Sequence, residues 1–391
     1  MNSVELFTGA GGLALGITKA GFRHLAVLEK DSFSCDTVRE NQRRGFNLVG
    51  HWNLVPGDVA EFNYSSIEED VDLVAGGPPC QPFSIGGKHR GPADKRDMFP
   101  QMIRAVRALQ PKAVLIENVR GLLRKSFSGY FEYVFLQLSY PEVERKPNEE
   151  IAKHKKRLEQ HHTGGSELGL RYKVVFDVLN AAEYGVPQKR DRVFIVAVRA
   201  DLGIEWSFPE PTHSLNALLR EQWVSDEYWD RHRVARRDRP ELPVRLKPRV
   251  DRLRNERLPF QDCEFPMRTV RDAISDLPDP EKARARAVFP NHAFIRGARS
   301  YVGHTGSPLD EPAKVLKAGD HGVPGGENML QLPDGRVRYF TVREAARLQT
   351  FPDDYVFHGS WSETMRQLGN AVPVDLAEQV AGGLKEKLAT L

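Results

Sequence analysis

The sequence predicts an α/β protein, a Rossmann-like sheet with helices followed by a second, smaller domain. Three observations carry this. The chain opens as strand, glycine turn and helix over Ser3 to Phe7, Thr8 to Gly12 and Leu13 to Ala20, an arrangement by which such sheets hold nucleoside ligands. Short apolar runs then alternate with helical segments as far as Pro209. Beyond Pro209 the alternation stops, and proline, arginine and aromatic residues such as Trp223, Tyr228 and Trp229 take over.

The whole chain sets the bounds. Its 391 residues suffice for about two domains, and 40% hydrophobic with 28% charged residues is ordinary for a soluble globular protein. No run approaches membrane-spanning length, and Met1 leads straight into a strand-like segment without a signal-peptide pattern, so a cytoplasmic protein away from membranes is expected. Cys35, Cys80 and Cys263 form neither a CxxC pair nor a disulfide framework, which fits a reducing compartment. A net charge of +3 is too small to announce nucleic acid. Arginines and lysines nevertheless crowd the segment from Arg231 to Arg257. They could neutralise phosphates, or belong to a solvated linker whose Asp238, Glu241, Asp251 and Glu256 blunt the charge.

Taken in order, the first turn carries Phe7, Gly9 and Gly11, but its spacing is not the dinucleotide fingerprint, since the next glycine after Gly12 is Gly16. A second strand, Leu25 to Leu28, ends at Glu29, where a carboxylate can accept from both ribose hydroxyls. Asp58, between Gly57 and Val59, could receive an adenine amino group while Phe7 packs on the purine; Asp58 also suits plain turn chemistry. The strand Asp72 to Ala75 runs into Gly76-Gly77-Pro78-Pro79-Cys80-Gln81-Pro82-Phe83-Ser84. Pro79 and Pro82 fix their own backbone and push Pro78 and Gln81 out of the helical region, so Cys80 is held in a stiff, extended loop. The glycine-rich stretch from Ser84 to Pro92, with Lys88, His89 and Arg90, suits a mobile lid ahead of a helix over Asp97 to Leu109. Ala113 to Ile116 reads as a buried strand presenting Glu117-Asn118-Val119 at its end. Helices follow over Phe127 to Leu138 and Asn148 to Gln160; the second, with His154, His161 and His162, reads as a solvated insertion and not a metal site. Strands over Tyr172 to Leu179 and Val193 to Val198 bracket Gln188, Arg190 and Arg192, and alternation puts the two arginines on one face of an extended segment. Glycine-rich loops at His304 to Ser307 and Ala318 to Gly326 join short strands, and Thr341 to Gln349 reads as a capped helix. Gln367 to Pro373 and a last helix close the chain.

The string GGPPCQPFS resembles the catalytic-cysteine motif of the DNA cytosine-5 methyltransferases of bacterial restriction-modification systems, and companion motifs follow in that family's order along nearly the whole chain. Glu117 sits in an ENV motif, Gln188, Arg190 and Arg192 in QxRxR, and Asn370 in the C-terminal motif. The resemblance implies an S-adenosylmethionine-dependent methyltransferase sheet with a smaller target-recognition domain. Residues 1–209 completed by 366–391 would be catalytic, 210–337 would read DNA, and 338–365 would hinge the two. It implies Cys80, Glu117, Arg190 and Arg192 as catalytic residues, and Phe7, Gly9, Gly11, Glu29, Asp58, Val59, Pro79 and Asn370 as holding S-adenosylmethionine. Gln81, Ser84 and Gln188 would bind substrate. Double-stranded DNA is the implied partner, with a restriction endonuclease acting on the same site; one base flipped by one chain makes a monomer the simpler expectation. No metal is required.

That chemistry needs these residue types. Cytosine C5 is too weakly nucleophilic to attack a methyl sulfonium directly, so a thiolate adding to C6 must first create an enamine. Three other readings compete. A transfer RNA methylase shares the chemistry, but that subgroup lacks a long region between the arginines and the last motifs. A silent DNA-binding relative would be free to lose Cys80, Glu117, Arg190, Arg192 and Asn370. A nucleotide-dependent oxidoreductase lacks its glycine spacing and a second nearby thiol.

Overall fold

The computed structural model describes residues 1–79, 97–164, 169–255, 265–282, 288–302, 304–318 and 328–391. Cys80, Gln81, Ser84, the expected lid with Lys88, His89 and Arg90, Cys263, and most of the loop from Ala318 to Gly326 lie outside them. The chain divides into two units: Met1–Leu179, Asp191–Pro209 and Ala377–Leu391 form the first, Asn180–Arg190 and Glu210–Leu376 the second.

The first unit is built on a seven-stranded sheet whose central runs β1, β4, β5 and β7 are too short for helices and are buried on both faces. Its elements in chain order are β1 (Asn2–Leu6), α1 (Gly12–Lys19), β2 (Arg23–Glu29), α2 (Ser32–Arg43), β3 (Leu54–Pro56), β4 (Leu73–Gly76), α3 (Phe99–Leu109), β5 (Ala113–Val119), α4 (Ser128–Ser139), α5 (Ile151–Thr163), β6 (Tyr172–Asn180) and β7 (Asp191–Arg199). The strand order is β3-β2-β1-β4-β5-β7-β6. The strands from β3 to β5 pair in parallel, and β7 runs antiparallel to β5. Strand order reverses between β1 and β4, where a ligand crevice is expected outside the strands' C-terminal ends.

Local sequence explains where elements stop. Helix α3 starts with Pro100 in its first turn, buries Phe99, Met102, Ile103, Ala105 and Val106, and ends at Gln110 in the left-handed conformation, ahead of Pro111. The strand β5 runs three residues further than its apolar stretch suggests and includes Glu117, Asn118 and Val119. The expectation for α5 needs correction. One face of the helix is packed, with Leu158 inaccessible and His154 buried, while the opposite face stays exposed. His154 Nε2 donates to the Val143 carbonyl at 2.6 Å, which leaves Nδ1 to accept from the Tyr133 hydroxyl of α4 at 2.8 Å. Burial lowers the pKa of His154, consistent with a neutral ring. Among the described residues no group of three His, Cys, Asp or Glu is placed to hold a metal ion, and no helix is long and apolar enough to cross a membrane.

The second unit has its own core, in which the aromatic residues beyond Pro209 do the packing: Tyr228 and Trp229 are fully buried with Leu218, Ala182 and Met267. Its elements are β8 (His213–Ser214), α6 (Leu215–Trp223), α7 (Glu227–Arg231), α8 (Lys247–Asn255), β9 (Phe265–Pro266), α9 (Val270–Ile274), β10 (Ser307–Pro308), β11 (Met329–Gln331), β12 (Val337–Tyr339), α10 (Val342–Leu348), α11 (Trp361–Asn370) and the start of α12 (Val374–Leu388). Two capping boxes begin α9 and α10, from Thr269 with Asp272 and from Thr341 with Glu344. Arg343, without solvent exposure, donates to the carbonyls of Pro290, Pro352 and Tyr355, and burial lowers its pKa to about 10.

Candidate functional site

At the C-terminal edge of the first unit's sheet, the chain leaves β1 through a left-handed Phe7 (φ 60°), then Gly9 (φ 57°) and Gly11 (φ 88°). Such a φ is uncommon for a residue with a Cβ, so the turn is tightly determined. No heavy atom of the described residues lies within 4 Å of the place a Cβ would take on Gly9, which leaves room for a ligand among them. Glu29, ending β2, holds this turn: its Oε2 accepts from the Gly9 amide at 2.6 Å, and Oε1 accepts from the amides of Lys30 and Asp31 at 2.8 and 2.7 Å. Burial raises the Glu29 pKa while those amides oppose the rise. Asp58, past β3, accepts from Lys30 Nζ at 2.7 Å and from the Ala60 amide at 3.0 Å, and Lys30 holds its pKa below the usual range. The Val59 side chain is buried in the main core, and its carbonyl accepts from Arg104 and from the Phe62 amide. Lys30 went unremarked in the sequence; its only signal there is its place directly after Glu29.

Across the reversal, β4 delivers the first residues of the cysteine loop. A Cβ on Gly76 would lie 2.6 Å from the Leu6 carbonyl oxygen, so β1 and β4 can pair this closely only with glycine there. A Cβ on Gly77 would lie 3.3 Å from Glu117 Oε2. Asn118 Nδ2 donates to the Pro78 carbonyl at 3.1 Å and ties β5 to the loop, a role the sequence reading did not assign to it. Pro79 is exposed, and Cys80 follows it directly in the chain.

Pairing explains the next contact. Antiparallel register sets Arg192 opposite Val119, two residues past Glu117 and therefore on the same face. Arg192 Nε meets Glu117 Oε1 at 2.8 Å, both side chains being largely buried, and its Nη1 donates to the Asp191 carbonyl at 2.8 Å. A carboxylate and a guanidinium thus stand together where the cysteine loop begins.

The expected shared face for Arg190 and Arg192 is corrected by where the strand begins. β7 starts at Asp191, so Arg190 lies before it and alternation does not reach it. Arg190 is fully buried in the second unit, donating to the carbonyls of Leu316 at 3.2 Å, Gly369 at 2.7 Å and Ala371 at 2.8 Å. Gln188 is also fully buried there: Nε2 donates to the Leu348 carbonyl and Oε1 accepts from the Leu316 amide, each at 3.1 Å. Asn370 ends α11 with its side chain exposed.

A family model described as C-5 cytosine-specific DNA methylase matches residues 1–140 and 149–386, leaving out only a short stretch between α4 and α5 and the extreme C-terminus. The chain is 32% identical over 380 residues to the Type II methyltransferase M.Eco47II of Escherichia coli, covering 96% of this chain and 76% of that one. It is 31% identical over 382 residues to the Type II methyltransferase M.NgoMIV of Neisseria gonorrhoeae, covering 97% and 95%. Among solved structures, the fold is similar to that of the S. pombe Dnmt2 methyltransferase, with a TM-score of 0.55 at 17% identity, covering 99% of each chain.

Proposed function

The chain belongs to the C-5 cytosine-specific DNA methylase family and is a DNA cytosine-5-methyltransferase, and from that premise we propose how its residues carry the reaction. The methyl donor is S-adenosylmethionine, and the acceptor is a cytosine flipped out of a specific duplex sequence. The partner implied is a restriction endonuclease that reads the same sequence, with a monomeric enzyme in the cytoplasm acting on one base at a time.

The residues at the sheet edge fit the donor. Gly9 and Gly11 leave room for a ligand against the backbone, and the room over Gly9 among the described residues supports this. Glu29, fixed by three amides, keeps one acceptor site, on Oε2, for a ribose hydroxyl. Asp58 takes the adenine amino group, Phe7 packs on the purine, Val59 and Pro79 border it through their backbone, and Asn370 contributes from the C-terminal motif. When bound, S-adenosylmethionine supplies an electrophilic methyl group.

The protein's part is to make C5 able to accept it. Cys80, as thiolate, adds to C6 of the cytosine, while Glu117 supports protonation at N3, so that electron density accumulates at C5. Arg192, held by Glu117, faces the cytosine carbonyl oxygen and stabilises charge developing there. Gln81 and Ser84 belong to the substrate side, whereas Gln188, buried with both ends of its amide engaged by backbone, supports the second unit instead. After methylation the C5 proton leaves, the electron pair restores the C5–C6 double bond, and the Cys80 sulfur is expelled. Because C6 is inaccessible in a stacked duplex, flipping is required, at about a few kcal/mol offset by protein contacts.

The observation that carries this reading is the Glu117–Arg192 pair at 2.8 Å beside the loop that Asn118 anchors through Pro78. Bisulfite sequencing of total DNA from a host without other cytosine methylation, expressing this protein or Cys80→Ala, tests it. Protected cytosines in one recurring sequence, seen only with Cys80 intact, are expected. Protection that persists with Cys80→Ala would refute the covalent route, and no protection from soluble, cofactor-binding protein would refute duplex DNA as substrate.

A further inference from the structure

A buried polar lattice in the second unit converges on one turn. Helix α11 ends at Asn370, and the last carbonyls of any helix lack intrahelical partners. Here Arg190 takes the two carbonyls that flank Asn370, those of Gly369 and Ala371, both through Nη2 at 2.7 and 2.8 Å. Its Nη1 takes the Leu316 carbonyl at 3.2 Å. The same residue, Leu316, donates its amide to Gln188, whose Nε2 reaches the Leu348 carbonyl at the end of α10. Gln349, also without exposure, donates to the Leu368 carbonyl at 2.7 Å.

The irregular segment at 316–318 presses on this turn from the other side. A Cβ on Gly369 would collide with the Ala318 backbone, so the approach requires glycine. The turn therefore sits between Arg190 and the 316–318 backbone, and Asn370 is its one exposed side chain.

We propose that Arg190 is a positioning residue for the cofactor: by fixing the Gly369–Ala371 turn it sets the orientation of Asn370, and it has no part in holding the cytosine. The inference rests on Asn370 contacting S-adenosylmethionine. The residue type follows from the geometry. A planar guanidinium projects donors in more than one direction and can bridge three carbonyls, whereas a lysine ammonium is a compact point charge that cannot span them. A cation at a helix C-terminus is also favoured by the partial negative charge there.

The test is calorimetric titration of S-adenosylmethionine into wild type, Asn370→Ala, Arg190→Lys and the double variant, with duplex affinity and thermal midpoint measured on each. Loss of the bridging bonds is expected to weaken cofactor binding by about tenfold or more in each single variant. The double variant should bind no more weakly than the weaker single one, because Arg190 acts through Asn370. Duplex affinity should not change. A purely structural role would lower the thermal midpoint and leave the affinity of the folded protein intact, which would overturn the proposal. So would normal cofactor affinity with impaired duplex binding in Arg190→Lys, or additive losses in the double variant. Normal affinity in Asn370→Ala alone would instead remove the premise, and the inference with it. If Arg190→Lys does not fold, Arg190→Met fills a similar volume without an unpaired buried charge and carries the same comparison.

Discussion

Glu117 and Arg192 are 75 positions apart in sequence and 2.8 Å apart in space, and each makes sense only with the other. Glu117→Gln keeps the shape and removes the charge, leaving Arg192 largely buried beside a weaker acceptor. Methyl transfer in a single turnover should fall about a hundredfold or more, the range for removing a positioned acid–base group. Cofactor affinity should be unchanged, because Glu29 ends another strand, β2, and Asp58 lies in the turn past β3. A variant as fast as wild type would take Glu117 out of the chemistry. At this scale the sequence was legible where residue type and neighbours suffice, as for Glu117 after an apolar run. It was not legible for Gly76 and Gly77, which look alike in the chain. Only the fold shows that the first is needed by the Leu6 carbonyl, while a Cβ on the second would crowd the Glu117 carboxylate at 3.3 Å. Arg190 and Arg192 show the same limit, since period-two reasoning holds within a strand and the strand begins between them.

Elements announce themselves when their signals are local. The Thr341–Glu344 capping box and the apolar runs of β2, β4 and β5 needed no tertiary information. The burial of α5 did, because its charged composition matches a solvated helix while His154 and Leu158 turn onto α4. A comparable tie joins β1, β2 and α1. His24 of β2 is buried, sharing a hydrogen bond with Ser3 Oγ of β1 and donating from Nε2 to the Ala14 carbonyl of α1, each at 3.0 Å. Burial, the largest cause, lowers its pKa from 6.5 to about 4. A base with a depressed folded pKa favours the folded state while it is neutral. Its contribution is therefore complete above pH 6.5 and is lost as pH falls from there towards about 4, by an amount on the order of 3 kcal/mol at most. Thermal midpoints of wild type should therefore drop more steeply over that window than those of His24→Gln, which has no proton to gain. Parallel curves for the two would show that His24 does not titrate across the folding transition.

For the whole molecule, the balance of charge decides how it meets DNA, and here composition misleads most. The segment from Arg231 to Arg257 carries eleven arginines and lysines, enough by count to coat a duplex. In the folded second unit several of them are held by partners of the same unit, some of them at the surface. Arg231 pairs with Glu221 at 2.8 Å, Arg239 with Asp226 at 2.9 Å, Arg245 with Glu311 at 2.6 Å, and Arg249 donates to Asn216 at 2.7 Å. Among its described residues the segment forms short helices with several ion pairs, so its full count of basic residues is not available to phosphates. Arg236 and Arg237 differ, lying exposed on a short turn where Arg237 meets Asp238 at a loose 3.8 Å with 89% of its side chain in solvent. A charge committed to a carboxylate displaces few counterions from DNA, whereas a free one contributes about 0.9 to the slope of log K against log salt for each phosphate it meets. Replacing Arg236 and Arg237 with alanine should therefore flatten that slope by up to about 1.8, twice the per-phosphate value. Arg239→Ala should leave the slope alone and lower the thermal midpoint, since Arg239 also lies over the Trp229 ring at 5.9 Å. Fluorescence anisotropy on a fixed duplex across a salt series reads both. A slope unmoved by the double replacement would return Arg236 and Arg237 to solvent, and a slope flattened by Arg239→Ala would mean that its carboxylates release it on binding DNA.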